Sequence, residues 1–249
     1  MPISRRTALA FHYLLDECVP PVLRDRRWFM WVPFRLLFGR NADVFMTFKD
    51  RAHRMSEEEF RRVYEETADL HLDRPTDLNE DCIAEVLRRA AGSVLEVGCG
   101  RGHLAGLLAA SHDVVACDMV VAPDLAERFP SVRFCEESLG GLSFADRSFD
   151  TVVCTHVLEH VLDMPRAVAE LRRVARRRLV VVLPRQRPYR FTFDLHLHFF
   201  PMSSSVLEAF PRHPRLASRR IENLGGDWFY EEELADETTP ALSPPPRDR

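Results

Sequence analysis

The feature that most constrains the fold is a regular alternation of short apolar runs with amphipathic segments, which begins near residue 92. The apolar runs are typical of buried strands and lie at 93–97, 113–118, 132–135, 149–155 and 178–183. Between them, helical spacing of apolar residues occurs at 104–110, 123–129 and 164–175. Because Val- and Leu-rich runs that alternate with helices are typical of a parallel sheet covered on both faces, the pattern predicts an α/β domain.

Two more strands are predicted near the end of this region. Segments 216–222 and 227–232 flank Leu224-Gly225-Gly226, a turn signal that favours an antiparallel pair. The prediction is therefore a Rossmann-like sheet of seven mostly parallel strands, with a terminal antiparallel strand and helices on both faces. We assign residues 92–235 to this domain and expect the proline-rich, charged tail 236–249 to be disordered.

Residues 1–91 are predicted to form a separate helical segment. A helix is expected over 56–70, because Ser56 and Glu59 have the spacing of a capping box. A second helix is expected over 79–91 and leads into the sheet. Upstream lies an aromatic stretch, 28–38, which has five arginines in and around it.

The composition excludes several classes of protein. The chain has 46% hydrophobic residues and a net charge of −4, so no overall basic field recruits nucleic acid, and the basic run 172–178 has the pattern of a solvated edge. The chain has neither a signal peptide nor an apolar run of roughly 18–20 residues, and we expect a cytoplasmic protein. Six scattered cysteines are expected to be free thiols, most of them buried: Cys18, Cys82, Cys99, Cys117, Cys135 and Cys154.

A glycine-rich turn follows the first predicted strand, in Glu96-Val97-Gly98-Cys99-Gly100-Arg101-Gly102. Glycines at such a turn let the backbone approach a ligand closely. The dinucleotide fingerprint G-x-G-x-x-G would place its third glycine at 103, which is His103. Asp118 closes the second strand and can take both hydroxyls of a ribose.

The pattern E-x-G-x-G-x-G resembles motif I of the class I S-adenosylmethionine-dependent methyltransferases (type 11/23-like domain). The resemblance extends over roughly residues 92–185. Segment 142–150 looks like the family's L-P-F-x-x-x-S-F-D motif, His156-Val157-Leu158-Glu159-His160 resembles its x-V-L-E-H motif, and 165–175 resembles the helix that follows. Several landmarks in the right order are more specific than one glycine motif.

The resemblance implies S-adenosylmethionine as cofactor, held by Glu96, Gly98, Cys99, Gly100, Gly102, Asp118, Met119, Ser138 and Thr155. One position departs from the family pattern. Many relatives have Gly-Asp after the third strand, with the Asp contacting the adenine amino group, whereas this chain has Glu137 and Ser138. A serine hydroxyl is a weaker partner for that amino group.

The resemblance also implies in-line transfer of a methyl group to an oxygen or nitrogen atom, less readily carbon, of a small-molecule acceptor. Such an acceptor can need a base, and histidine suits that task near neutral pH. The candidates follow strands four and five: His156, His160, His196 and His198. The alternative is that these histidines are structural.

The same histidines raise the question of a metal. If a helix begins at residue 156, His156, Glu159 and His160 share one face. If 193–199 is extended, Asp194, His196 and His198 share one side. We predict no metal; the alternative is a zinc, manganese or iron site whose candidate ligands are His156, Glu159, His160 and His198.

The N-terminal segment has two interpretations. As in other family members, its helices could form a lid over the acceptor pocket, which we favour; alternatively, 28–38 contacts a membrane and serves a lipid-like acceptor. Loop 185–190, rich in arginine, is either an anion contact or an ordinary loop. The rival functions are a non-catalytic scaffold that binds S-adenosylmethionine and a methyltransferase acting on RNA.

Overall fold

The computed structural model describes residues 14, 18–67, 75–188, 190–191 and 194–235. Its central element is a seven-stranded sheet with the order β3-β2-β1-β4-β5-β7-β6. The strands are β1 Ser93–Val97, β2 Asp113–Asp118, β3 Val132–Glu136, β4 Phe149–Thr155, β5 Ala175–Pro184, β6 Leu216–Leu224 and β7 Asp227–Leu234. Six strands are parallel and β7 runs against both of its neighbours. The predicted Rossmann-like architecture is confirmed.

Helices cover both faces of this sheet. They are α5 Glu80–Arg89, α6 His103–Leu108, α7 Leu125–Arg128, α8 Met164–Val174 and α9 Ser203–Ala209. Alternation along β1 shows the two faces: Leu95 packs in the cluster that includes α8, whereas Val94 packs in the cluster that includes α5 and α6. Both faces of the strand are therefore buried, which explains the continuous apolar runs in the sequence.

Within the described residues, four further helices precede α5 and lie over the carboxyl ends of the strands. They are α1 Pro21–Arg24, α2 Arg27–Phe38, α3 Ala42–Ala52 and α4 Glu57–Thr67, with a 3₁₀ turn at Gly39–Asn41. Their inner faces form a third apolar cluster together with Phe191 and Leu195, which follow β5, and with Met119, which follows β2. Arg61 on α4 also pairs with Glu136 at the end of β3 at 3.0 Å. These contacts place the N-terminal helices above the edge where α/β proteins bind their ligands.

Local signals account for several helix ends. The backbone N–H of Ser56 donates to Glu59, at 2.9 Å, and the N–H of Glu59 donates to the Ser56 hydroxyl at 3.2 Å, so the predicted capping box is present. Asn79 caps α5 by accepting from the N–H of Cys82 at 2.9 Å. Of the predicted helix over 56–70, the structure describes Glu57–Thr67 as helical, and residues 68–70 lie outside the described part of the chain.

Other predictions need correction. Residues 158–160 form a 3₁₀ turn rather than the start of a helix, and no strand forms over the described residues 194–199. The run 172–178 is not simply a solvated edge, because Arg172 is only 4% exposed and its Nε donates to Glu232 at 2.8 Å. Helix α9 was not predicted. The tail 236–249 lies outside the described residues.

Two expectations about the whole chain can be compared with the described residues. All six cysteines are free thiols; four of them are buried, Cys135 is partly buried, and Cys18 is exposed. Among the residues that the structure describes, no helix has the length and apolar character needed to cross a bilayer.

Candidate active site

The glycine turn between β1 and α6 is shaped by three residues in the left-handed region. Gly98, Gly100 and Gly102 have φ of 79°, 48° and 72°. A Cβ at Gly98 would lie 2.0 Å from Cγ2 of Val157, so no side chain fits there. A Cβ at Gly100 would meet nothing within 4 Å, so the backbone at Gly100 borders open space. The turn thus offers bare backbone to a ligand.

Asp118, the last residue of β2, reaches across to this turn. Its Oδ2 accepts from the N–H of Gly100 at 2.8 Å, and its Oδ1 accepts from the N–H of Met119 at 2.7 Å. Burial raises the pKa of this carboxyl group, although the backbone N–H donors oppose the shift. The carboxylate thus accepts a backbone hydrogen bond at each oxygen and keeps a lone pair for a further donor.

Glu96 lies beneath the turn and is only 2% exposed. Burial, followed by the charge of Asp118, raises its pKa to about 8, while an N–H from Ala105 acts in the opposite direction. Its Oε2 has no hydrogen-bond partner among the described residues. A protonated, partly unsatisfied carboxyl group facing bare backbone is the polar environment that a bound cofactor can complete.

The other predicted cofactor residues have different surroundings. Cys99 and Thr155 are buried at the ends of β1 and β4, and Met119 is packed against the N-terminal helices. Burial raises the pKa of the Cys99 thiol, which therefore stays protonated. Ser138 is exposed and its hydroxyl accepts from the N–H of Gly140 at 3.2 Å. That hydroxyl therefore takes part in its own turn through one of its two lone pairs.

A histidine–carboxylate cluster, formed by His156, Glu159, His160 and His196, lies directly after β4. Nδ1 of His156 is 3.4 Å from Oε1 of Glu159, and Nε2 of His196 is 3.9 Å from the same oxygen. The rings of His160 and His196 meet edge to face, with centroids 4.7 Å apart. The backbone at His156 has φ of 54° and its N–H donates to Val182 at 2.9 Å. This strained residue turns the chain so that Glu159 points inward.

The segment that follows β5 supplies the other half of the cluster. The backbone N–H groups of Leu197 and His198 donate to the carbonyl oxygen of Glu159 at 2.7 and 3.0 Å. Nδ1 of His196 contacts the side-chain oxygen of Gln186, and Gln186 donates to Asp194 at 3.2 Å. These hydrogen bonds join residues 156–160 to residues 194–198, although neither segment contains an α-helix or a strand.

The cluster contains three of the four predicted catalytic histidines. His198 is the exception, because its Nε2 contacts the carbonyl oxygen of Val161 at 2.8 Å instead. Of the metal ligands considered from sequence, the structure groups Glu159 and His160 with His196 rather than with His198. An extended segment over 193–199 would place His196 and His198 on the same side, but the segment is an irregular loop and its two histidines have different surroundings.

Charge differs strongly between the histidines. Burial lowers the pKa of His156, but the carboxylates of Asp227 and Glu159 outweigh it and raise the value to about 10. His156 is therefore an imidazolium near neutral pH. Burial and the neighbouring His196 lower the pKa of His160 to about 4, so His160 is neutral.

Sequence reasoning missed three residues around this cluster. Tyr64 on α4 packs against His160 with ring centroids 5.7 Å apart. Asp227 at the start of β7 lies 3.5 Å from His156 and accepts from Asn79 at 2.9 Å. Gln186 contacts His196. Only Gln186 carried a usable signal, since it follows the carboxyl end of β5; the other two come from distant segments that only the fold brings together.

Comparison with known proteins gives a consistent family assignment. Residues 95–183 match the family model described as a methyltransferase domain. The chain is 36% identical over 110 residues to a probable S-adenosylmethionine-dependent methyltransferase of Mycobacterium tuberculosis, covering 43% of this chain and 39% of that protein. It is also 36% identical over 140 residues to a ubiquinone biosynthesis O-methyltransferase of Hahella chejuensis, covering 52% and 55%. The chain thus spans about half the length, or less, of these curated relatives.

Solved structures agree on the fold. One S-adenosylmethionine-dependent methyltransferase of Thermotoga maritima, titled a possible histamine N-methyltransferase, has a TM-score of 0.50 at 15% identity, covering 83% of this chain and 100% of that one. A structure described for the conversion of a disulfide bond into a thioacetal group in echinomycin biosynthesis has a TM-score of 0.53 at 16% identity, covering 71% and 92%. In motif order, family match and sheet order, residues 95–183 are similar to the methyltransferase domains of the class I S-adenosylmethionine-dependent family.

Proposed function

We propose that the chain transfers the methyl group of S-adenosylmethionine to an oxygen or nitrogen atom of a small-molecule acceptor bound beneath the N-terminal helices. One observation carries the proposal. Gly98 of the cofactor turn contacts Val157, which lies between His156 and Glu159 in sequence. The predicted donor site and the buried polar cluster therefore adjoin at the carboxyl edge of β1 and β4.

The cofactor contacts follow from the same geometry. We propose that Asp118 binds the ribose hydroxyls and that the backbone from Gly98 to Gly102, with Glu96 and Cys99 beneath it, surrounds the methionine part. Met119 and Thr155 would border the sugar and the sulfonium. Ser138 remains the candidate for the adenine, because its hydroxyl accepts from Gly140 and keeps its O–H and a second lone pair for a ligand.

Methyl transfer depends more on the alignment of the acceptor atom with the carbon–sulfur bond than on acid–base catalysis. The carbon–sulfur bond breaks while the bond from carbon to the acceptor atom forms, and sulfur keeps the electron pair to give S-adenosylhomocysteine. Positive charge on sulfur is neutralised, so water around the nucleophile hinders the reaction. The apolar cluster of the N-terminal helices, which includes Phe48, Phe60 and Leu195, would exclude water from the acceptor site.

A hydroxyl or ammonium acceptor must also lose a proton. His160 and His196 are the histidines we propose for this role, because both lie beneath α4 at the inner side of the cluster. His156 is held between Glu159 and Asp227, and His198 contacts Val161. Their contacts favour positioning roles. The printed name of the Hahella chejuensis relative, an O-methyltransferase, supports oxygen over carbon as the acceptor atom.

The test is product formation. The full chain is incubated with S-adenosylmethionine and a panel of phenols, hydroxy acids and amines, and S-adenosylhomocysteine is quantified by mass spectrometry. We expect acceptor-dependent S-adenosylhomocysteine for at least one class, and none for the Asp118→Ala variant. Tight binding of the cofactor in calorimetry without product across the panel would instead support the rival function, a non-catalytic scaffold.

A second candidate concerns where the acceptor resides. The inner side of α2, with Met30 and Phe34, is buried, whereas Trp28 is 69% and Leu36 81% exposed on its outer side. Residues 24–40 carry five arginines and one aspartate in a chain of net charge −4. We propose that this outer face contacts an anionic membrane, as amphipathic helices with aromatic and arginine residues do. The inner face fits the lid interpretation, and the two roles are compatible.

A further inference from the structure

We infer that Glu159, His160 and His196 form a binding site for a divalent transition-metal ion. One ligand atom from each of the three residues lies within 4.8 Å of the other two. Tetrahedral zinc, with bonds of roughly 2 Å, separates its ligands by about 3.4 Å. Small side-chain rotations therefore suffice to bring the three atoms around one ion.

The carboxylate of Glu159 supports this inference most strongly. The side chain is fully buried, and among the described residues neither Oε1 nor Oε2 has a hydrogen-bond partner. The nearest charged or polar groups, His156 and His196, approach at 3.4 and 3.9 Å, which is loose for such contacts. The one cationic neighbour of this carboxylate, His156, approaches only to 3.4 Å and is shared with Asp227, so its charge is incompletely compensated, and a metal cation would compensate it directly.

Two other buried oxygen atoms near Glu159 also lack a hydrogen-bond partner among the described residues. They are the hydroxyl of Tyr64 and Oδ1 of Asp194. Tyr64 packs against His160, and Asp194 lies 3.4 Å from His196. Together with those of Glu159, these unsatisfied oxygen atoms belong to three separate segments of the chain, and all three segments contact the histidine–carboxylate cluster. A single ion with its bound water would satisfy atoms that the protein leaves unpaired.

The imidazole rings are oriented as metal ligands usually are. Nδ1 of His196 contacts Gln186, and Nδ1 of His160 faces the carbonyl oxygen of Leu195 at 3.4 Å. Outer contacts of this kind fix the ring and its tautomer, leaving Nε2 for the ion. The hydrogen bonds from Leu197 and His198 to the Glu159 carbonyl hold both ligand segments in register.

The ligand set indicates which ion would bind. Two imidazoles and one carboxylate suit zinc, manganese or ferrous iron better than magnesium or calcium. Three protein ligands leave a position open, and under the N-terminal helices that position would take an acceptor hydroxyl and lower its pKa. With the ion bound, this effect would replace the role of His160 and His196 as bases, because their Nε2 atoms would be ligands. This last step rests on the proposed function; the ion site itself does not.

The experiment measures metal binding without cofactor or acceptor. The full chain is stripped with a chelator, dialysed separately against zinc or manganese chloride, and analysed by plasma mass spectrometry. Cobalt(II) is added in parallel, and its visible absorption reports the ligand geometry. We expect about one ion per chain and a cobalt spectrum of low coordination number, with binding weakened at least roughly tenfold in Glu159→Gln and His196→Asn.

Two variants make the result specific. His112→Asn is the matched control, because His112 precedes β2 at the amino ends of the strands, opposite to the cluster, and this variant should bind like wild type. Gln186→Ala keeps all three ligands, and by loss of an outer contact it should weaken binding roughly 10–100-fold. Circular dichroism confirms that each variant is folded. Glu159→Gln preserves the shape of the side chain if the other ligand variant does not fold.

Either of two results would overturn the inference. One is less than a tenth of an ion per chain in the folded wild type, with no cobalt spectrum. The other is equal binding by wild type, Glu159→Gln and His196→Asn, which would place the ion elsewhere. Calorimetry with S-adenosylmethionine on the metal-free chain runs alongside, so that loss of the ion site and loss of the cofactor site are told apart.

Discussion

Oδ2 of Asp118 accepts a hydrogen bond of 2.8 Å from the backbone N–H of Gly100, which ties the end of β2 to the turn that follows β1. One carboxylate thus holds the turn in shape and keeps lone pairs for a ligand. Because its other oxygen is engaged by Met119, the carboxylate has a fixed orientation before any cofactor arrives. Such preorganisation lowers the entropic cost of binding.

Replacement of Asp118 by alanine should weaken the binding of S-adenosylmethionine. The variant loses charged hydrogen bonds worth about 1.5–3 kcal/mol each, which corresponds to a rise in Kd of roughly 10–100-fold. Calorimetry on the folded variant measures the change. Asp124→Ala, which removes an exposed carboxylate paired with Arg128 on α7, is the control and should bind normally. An unchanged Kd in Asp118→Ala would remove the residue from the cofactor site.

Gly100→Ala should impair cofactor binding more than folding. The new methyl group enters open space in the apoprotein but occupies the path of the cofactor backbone contact. Gly39→Ala is a matched control, since Gly39 has φ of 54° and its Cβ position is equally open. Both variants should lose stability because of the positive φ, and Gly39→Ala should lose more, since its ψ of −117° lies outside the left-handed helical region. Only Gly100→Ala should raise the Kd, by roughly tenfold; equal Kd values for the two variants would contradict the assignment.

Glu96 should make stability depend on pH. Its pKa of about 8 lies above the value of 4.5 for an unperturbed carboxyl group. Its contribution to stability is therefore fully present below pH 4.5 and is lost as pH rises through 8. In Glu96→Gln this loss disappears, so between these limits the free energy of unfolding of wild type should fall relative to the variant, by a few kcal/mol at most as an order-of-magnitude figure.

Urea unfolding of the apoprotein at intervals from pH 5 to pH 8 measures the difference, because contributions from other groups cancel between the two proteins. Parallel curves for wild type and Glu96→Gln would show that Glu96 ionises normally. The variant also tests whether a neutral side chain suffices beneath the turn, since its affinity for the cofactor should then be retained.

The outer face of α2 should bind anionic vesicles. We expect the full chain to sediment with vesicles of phosphatidylserine and phosphatidylcholine but not with phosphatidylcholine alone, and sedimentation should fall as salt rises. Trp28→Ala combined with Leu36→Ala should abolish it, because these two side chains are the most exposed apolar groups on this face. Leu107→Ala, at a partly exposed site on α6, is the control. Equal sedimentation of the two variants would exclude this face.

Much of the domain could be predicted because its signals are local. The bounds of β2 and β4 follow directly from continuous apolar runs, and the Ser56–Glu59 capping box is a contact within one helical turn. The glycine turn with Asp118 is set by the strand order, which the alternation of elements implies. These features need little information from distant parts of the chain.

The polar cluster could be predicted only in part. Glu159 and His160 lie in a recognisable motif, but the choice of His196 over His198 depends on an irregular loop whose direction is set by hydrogen bonds to the Glu159 carbonyl. Tyr64 and Asp227 join from segments far away in sequence. Arg172 shows the same limitation, since its burial depends on Glu232 across the sheet.

The close approach of Gly98 to Val157 has a consequence for chimeric proteins. A Cβ at residue 98 would lie 2.0 Å from the valine, and φ of 79° would strain a side chain there even if residue 157 were smaller. A chimera that combines the glycine turn of one methyltransferase with the loop after β4 of another must therefore keep a glycine at residue 98, and a larger side chain at residue 157 would press directly on the backbone of the turn.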